Sequence, residues 1–512
     1  MKERGLFFLL VFLHLAPFWA VAAVPTTDGP SHVYNAWILQ QRVSGREAPV
    51  FQESFRIDHS PLPNWTEHAA LALLMVSFDP ATAEKILVSG CVVVFLLGAR
   101  SLAMSTDPDR SWLAFLAFPF VYNQPFQFGF YNFCGSVGLF LFALGFWWRR
   151  RDAPGWRLAV GLNLILLLCY FTHILSTVLA LGGIGVLWLA TLRRATLKRH
   201  LLHVLILAPQ AILPLWFLST HGAEPTPGKG QLWVLFQYFV RNQVLYTFSE
   251  TQLLLGPLLT ALFALLAVAT LLQRRRPPRL REEDGFVVIA LVVVVLFFFG
   301  PEGMSGGSLI KMRLCLYPWL LLLPWIAPRL AWLGDRWDRK VRGALVAILS
   351  AAAAVNVLAY VQWYQAADRD VQSFLTVSSA RRIEPGSRVL PALFDRRASV
   401  GVLGLLGHAI DRAAVEKGFL DWGNYEAQYN LFPVQYRPGV PYPSLWKLEV
   451  TPADLDVDTR RDQIDYVFCW KMPPGSPLAA RLEKEYTLVA EQAPARLYER
   501  TERLTAASAS HP

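Results

Sequence analysis

The stretch MKERGLFFLLVFLHLAPFWAVAAVPTTDGPSHVYNA, residues 1–36, runs from the basic residues Lys2 and Arg4 through an apolar segment into a polar loop whose first acidic residue is Asp28. Its first half mimics a secretory signal, with small residues near Ala20 to Ala23. The polar loop that follows would profit from a tether, so the segment is expected to stay in place as a first membrane span. Apolar runs of the same kind recur as far as about Trp363 and then stop. A helix needs roughly 20 mainly apolar residues to cross ~30 Å of hydrocarbon. With 54% hydrophobic and 17% charged residues, the former in long runs without amphipathic alternation, the chain is not a single soluble globule.

The runs place spans near 5–24, 82–99, 111–126, 129–148, 157–173, 174–191, 201–219, 251–273, 285–300, 313–332 and 343–363, about eleven in all. The expected fold is an α-helical polytopic membrane domain over 1–365 with a first outer loop at 25–81. A soluble α/β domain over 366–505 and a disordered tail at 506–512 complete it. The net charge of +10 is compatible with nucleic acid, but the arginines sit in short clusters between apolar segments, where they orient helices. With the N-terminus in the cytoplasm, Lys2 and Arg4, Arg149 to Arg151, Arg193-Arg194 with Lys198-Arg199, Arg274 to Arg276, and Arg336 to Arg342 all fall inside. The loops 25–81, 220–250 and 301–312, and everything after about 364, then fall outside. The division between the two spans at Phe171 to Ser176 decides this parity. Four of the five cysteines lie in or beside apolar segments and Cys469 stands alone in the terminal domain, so no disulfide framework follows.

In the first loop Asp28 can cap a helix whose first position is Pro30, with His32, Asn35 or Ala36, and Leu39 on one face. A carboxylate and an imidazole held at the water–lipid boundary suit general-base work or metal ligation; a plain cap with an interfacial histidine is the alternative. The stretch 63–78 reads as an interfacial helix with Glu67 and His68 solvated. Residues 220–250 begin flexible and become an aromatic helix containing Arg241, like a surface-lying lid. In PEGMSGGSLIKMRLCLYPW (301–319) Lys311 and Arg313 stand at the outer end of a span and near a helix N-terminus, two placements that disfavour cations. A bound anion would compensate both, with Gly306-Gly307 permitting close backbone approach; snorkelling to lipid head groups is the alternative. His173, in YFTHILS, falls at the outer end of the fifth span. Tyr34, Trp37, Trp65, Tyr122, Tyr131, Trp233 and Tyr246 read as an interfacial aromatic belt.

Beyond 366, SRVLPALFD (387–395) reads as a strand, 399–417 as a helix, DYVFCW (465–470) as a strand and 474–486 as a helix, with a closing hairpin after it. No nucleotide loop, metal cluster or nucleophile motif appears there. Asp421, Trp422, Asn424 and Tyr425 form a polar-aromatic patch, read as a solvated loop or a carbohydrate contact.

Taken together, Asp28 in DGPSHVYNA just past the first span, the histidine of YFTHILS, the glycine-bearing loop into Lys311 and Arg313, and the terminal domain resemble the GT-C superfamily of membrane glycosyltransferases, particularly its bacterial members. The resemblance implies transfer of a sugar from a polyprenyl-phosphate-linked donor to a lipid, glycan or protein acceptor outside the cytoplasm, in a bacterial inner membrane. It implies that Asp28 activates the acceptor or helps hold a divalent metal, Mg or Mn, with His32. Lys311, Arg313 and Arg241 would bind the lipid phosphate, with His173 and Glu302 in support. No nucleic-acid partner is expected. Two other classes fit less well. A transporter or flippase of a lipid-linked saccharide would carry ionisable residues at mid-bilayer in related halves. A catalytically inactive envelope-assembly protein would suit a loop with one acidic residue where many members have two.

Overall fold

The computed structural model describes residues 3–222, 225–226, 231–273, 281–326, 335–380 and 383–504. The expected Arg274 to Arg276 cluster and the 506–512 tail lie outside them. The contacts divide the chain into two compact units, one of 1–20, 61–66 and 88–362, the other of 21–60, 67–87 and 363–512. Most of the first loop, assigned above to the membrane domain, thus clusters with the C-terminal residues.

The first unit is helical. Five helices of the chain are long and apolar enough to cross a membrane: Pro80–Ala103, Tyr131–Arg150, Arg194–His221, Gln252–Leu272 and Asp338–Thr376. Trp156–Thr172, Ile174–Ala190 and Asp284–Phe299 are shorter apolar helices. The protein is a multi-pass membrane protein. His173 separates the pair at Thr172 and Ile174, its Nδ1 accepting from the Leu175 N–H at 3.2 Å, so the division that decides the parity is present. Three expected spans take other forms, the first of them, 5–24, being divided into Glu3–Leu13 and Ala16–Trp19. Residues Pro108–Phe120 form a 3-10 helix, in which Pro119 lacks a donor that an α-helical ladder needs. The expected 313–332 span is broken into Ile310–Leu314 and Tyr317–Leu321, where Pro318 cannot bond back to the preceding turn.

The basic ends of the helices are tied to one another. Arg151 and Arg193 both reach Glu282, at 3.1 and 2.5 Å, Arg199 reaches Asp152 at 3.0 Å, and Arg342 reaches Glu3 at 2.9 Å. Loops expected on one side of the bilayer therefore meet. Elsewhere in this unit Tyr122 stacks on Tyr360 at 4.0 Å, and Tyr122 and Tyr131 are core residues and not belt.

In the second unit β1 (Phe55–Ile57), β2 (Arg388–Leu393), β3 (Leu420–Asp421), β4 (Val434–Tyr436), β5 (Tyr466–Trp470), β6 (Tyr486–Gln492) and β7 (Ala495–Arg500) form two sheets. The larger has the order β3-β2-β5-β7-β6, parallel around β2 and antiparallel beyond β5. Pro391 is tolerated inside β2 because β3 pairs only as far as Val389, leaving no neighbour on that side to want its missing N–H. In the smaller sheet β1 of the first loop pairs with β4, Phe55 opposite Tyr436. The expected 399–417 helix is shorter, Ile410–Lys417, since its glycine-rich first half (Gly401, Gly404, Gly407) lacks helix propensity. It packs against Gly29–Val43.

The helices Pro80–Ala103 and Tyr131–Arg150 approach through glycine. A Cβ at Gly98 would stand 2.5 Å from the Gly138 carbonyl oxygen, and one at Gly138 2.7 Å from Val94 backbone. Small residues of this kind drive helix packing where no hydrophobic effect does. Gly98→Ala is expected to destabilise the protein by about 1–3 kcal/mol, seen as a lower melting temperature in detergent. Gly90→Ala, where a Cβ meets nothing within 4 Å, is expected to leave it unchanged.

Candidate functional site

Asp28 occupies the N-cap position of Gly29–Val43, with Pro30 in its first turn, but its carboxylate makes no capping hydrogen bond. It accepts instead from the Tyr425 hydroxyl and lies 3.7 Å from His408 Nε2. Asp28 is therefore more than a cap. Its side chain keeps 14% exposure. Burial raises its pKa to about 7, against the opposing pull of His32 and the Tyr425 bond. His408 and Tyr425, which flank it, also line a small pocket, no larger than about one water molecule, with Arg396, Asp421 and Glu449.

One turn along the helix, His32 turns away from Asp28 to a buried cluster. Its Nδ1 contacts Glu426 Oε1 and lies 3.9 Å from Glu67 Oε1, while His68 Nε2 meets Glu426 Oε2 at 2.8 Å. His32, Glu67, His68 and Glu426 are all at most 5% exposed. Glu67 and His68, expected to be solvated, are core, because Trp65–Leu74 turns the start of its polar face toward the C-terminal residues of the same unit. Burial would lower the His32 pKa, yet the carboxylates of Glu426 and Glu67 outweigh it and raise the value to about 10. Burial would likewise raise Glu426, but His32 and His68 hold it down at about 2. Among the described residues, His32, His68 and Glu426 form the group of metal-ligand type whose atoms converge, within 4.8 Å of one another. Asp28, paired with His32 as a ligand in the sequence reading, is not in that group.

Two further polar contacts fix the helix against the turn DWGNYE (421–426). Asn35 and Asn424 exchange amide hydrogen bonds at 3.1 and 2.8 Å, and the Asp421 N–H donates to the Tyr34 hydroxyl at 2.9 Å. The patch read as a solvated loop is thus interior: Asp421, Trp422 and Asn424 are buried, as is Tyr34. Gly423 is required there, since a Cβ would come within 2.8 Å of the Pro391 ring. Beside the turn, the Asp411 carboxyl donates to that of Asp421; burial raises the first well above its ordinary value and the second to about 6. Arg412 grips Glu84 at 2.9 and 3.2 Å and the Val24 carbonyl at 2.7 Å, and Asp368 receives the Ala22 N–H at 2.8 Å.

The remaining predicted residues lie in the first unit. Lys311 is buried and donates to the Phe298 carbonyl at 3.1 Å. The Arg313 guanidinium lies 4.4 Å over the Phe130 ring and 5.7 Å from Phe133, whose ring meets His173 edge-on at 5.4 Å. The structure thus gathers Arg313 and His173 about one phenylalanine. Ser136, Ser176 and Tyr317 form a hydroxyl chain at 2.5 and 2.6 Å. The Lys311 helix, Ile310–Leu314, has only five residues, too few for the N-terminal anion site expected of a full span. Glu302 donates its N–H to Thr226 and accepts from the Ile310 N–H through its carbonyl, bracing the loop. Arg241 follows the exposed aromatic helix Leu232–Val240 and is itself exposed.

No family model matches the chain, and no curated protein does. Among solved structures it is similar to the crystal structure of ArnT from Cupriavidus metallidurans bound to undecaprenyl phosphate, at 11% identity and a TM-score of 0.48 over 97% of each chain. ArnT is a GT-C glycosyltransferase. A likeness of this degree assigns no role to any residue of this chain.

Sequence reasoning missed Glu426, His408 and Asp411, and read His68 as solvated. Only Glu426 had a usable signal, standing in a polar run directly after a strand. A carboxyl raised by burial keeps its proton in the fold after the unfolded chain has lost it, so its contribution to stability is lost as pH rises. For the Asp411–Asp421 pair the loss runs from the ordinary value of 3.8 upward through about 6. Asp411→Asn is expected to flatten the dependence of melting temperature on pH across that window and to melt higher than wild type above it.

Proposed function

We propose that the protein is an integral membrane glycosyltransferase of the GT-C kind, moving a sugar from a polyprenyl-phosphate donor to an extracytoplasmic acceptor in a bacterial inner membrane. The observation that carries this reading is Asp28: a carboxylate at a helix mouth, released from capping, hydrogen-bonded to Tyr425, partly exposed and titrating near neutrality. A general base works best with a pKa near the working pH.

In this reading the Asp28 carboxylate takes the proton of an acceptor hydroxyl as that oxygen bonds to the anomeric carbon. The bond from that carbon to the phosphate oxygen breaks, and the lipid phosphate leaves with the electron pair. Lys311 and Arg313, in the first unit, are the cations that this reading gives to the lipid phosphate. The bond to Phe298 and the ring contacts with Phe130 and Phe133 hold the two cations in fixed geometry, which limits the reorganisation such a role would otherwise demand. His173 steadies the same ring. The meeting of basic loops at Glu282 supports the orientation with the N-terminus in the cytoplasm.

Transfer from a labelled polyprenyl-phosphate sugar, followed in membranes, tests this. Asp28→Asn is expected to lower kcat by about 10²–10⁴-fold; unchanged activity would remove Asp28 from the mechanism. The wild-type rate is expected to rise with pH through about 7, as the base loses its proton. Tyr425→Phe removes a bond that favours the carboxylate, so its profile is expected to lie at higher pH. Lys311→Glu is expected to weaken donor binding by roughly ten- to a hundredfold; full affinity for the donor would reject the phosphate role.

A further inference from the structure

We propose that His32, His68 and Glu426, with Glu67 as a fourth donor, form a binding site for a zinc-type divalent ion. The donors come from three segments distant in sequence: the Gly29–Val43 helix, the Trp65–Leu74 helix and the turn after β3. The ligand atoms of His32, His68 and Glu426 nevertheless converge within 4.8 Å.

The imidazole rings of His32 and His68 stand edge to face, 5.7 Å apart at 87°, so both direct a nitrogen at the Glu426 carboxylate. Donors around a tetrahedral ion with bonds of 2.0–2.1 Å lie about 3.3 Å apart. The separations of 2.8 Å, His68 to Glu426, and 3.9 Å, His32 to Glu67, lie on either side of that spacing, and the closer contact of His32 with Glu426 has to open for an ion to enter. The Phe432 ring lies against both imidazoles, at 6.1 and 5.7 Å, an apolar wall that holds them and keeps water away.

The donor set also selects among metals. Two imidazole nitrogens with carboxylate oxygens suit zinc and its neighbours, whereas magnesium keeps oxygen ligands and several waters. A site at most 5% exposed leaves little room for such waters. The ion expected here is thus zinc and not the Mg or Mn that the resemblance implies, and it rests on Glu426 and not on Asp28. Binding neither depends on the transfer reading nor implies it.

The test uses the full chain in detergent, stripped with a chelator and titrated with Co²⁺. One equivalent is expected to bind with the intense visible absorption of a tetrahedral site, and Zn²⁺ is expected to displace it and raise the melting temperature. His68→Ala and Glu426→Gln are expected to lose both responses. Asp28→Asn is expected to retain both, which separates this site from the proposed base. Should a ligand variant fail to fold, the stripped wild type still decides. Absence of visible absorption and of any melting shift with Zn²⁺ would overturn the proposal, as would unaltered Co²⁺ binding by a folded His68→Ala protein.

Discussion

The second unit depends on one buried anion. Glu426 sits with no exposure between His32 and His68, which belong to the first loop and its second helix. A lone carboxylate in such a place would neutralise itself or unfold its surroundings. In the metal-free cluster the two imidazoles reverse that outcome and hold Glu426 ionised, while Glu426 and Glu67 keep His32 protonated, a proton that a bound ion would displace. Removing one partner of a buried pair costs about 3–5 kcal/mol, because the remaining charge is stranded. The loop and the C-terminal residues are for that reason a single folding unit. The β1–β4 pairing and the Arg412–Glu84 grip reinforce what the cluster specifies.

Four carboxyls within this unit occupy different protonation regimes. Glu426 is held near 2 by its histidines, Asp421 near 6 and Asp28 near 7 by burial, and Asp411 keeps its proton to donate to Asp421. Environments that push acidic groups apart in this way are a mark of functional sites, though structural networks produce them too. Geometry separates the cases here. Glu426 and the Asp411–Asp421 pair have their partners inside the core, while Asp28 alone of the four keeps more than a trace of exposure. The first three hold the scaffold; the fourth faces outward from it.

The apolar runs made the membrane helices legible, because lipid imposes a length that a sequence shows directly, and the strand patterns of β2, β5 and the closing hairpin were equally plain. Proline defeated the reading where composition promised a span: 108–120 and 310–321 are apolar enough, yet their backbones lack the donors for a continuous helix. Asp28 and His32 were singled out by their position past the first span, and the structure sets them against Tyr425 and Glu426. Glu67, His68, Asp421 and Tyr425 were misread as solvated for a single reason. Local sequence shows whether a residue is polar, and only the tertiary partner decides whether a polar residue is buried. His68, Asp421 and Tyr425 meet partners from the other end of the chain, as His68 meets Glu426 across 358 positions, and Glu67 faces His32 from the same loop.

That long-range pairing bears on how a base can be held at a helix mouth. Had Asp28 capped its own helix, its carboxylate would have been stabilised by backbone N–H groups and its pKa drawn down, as hydrogen bonding to the charged form requires. Turning it to a neutral phenol instead leaves desolvation as the largest influence, and the value rises toward neutrality. Tyr425 can take that position because the next residue is Glu426, fixed by the histidines, and because Asn424 is locked to Asn35. The structural cluster and the candidate base are therefore neighbours by construction: the same turn that buries one carboxylate as an anion presents the hydroxyl that leaves the other poised to exchange a proton.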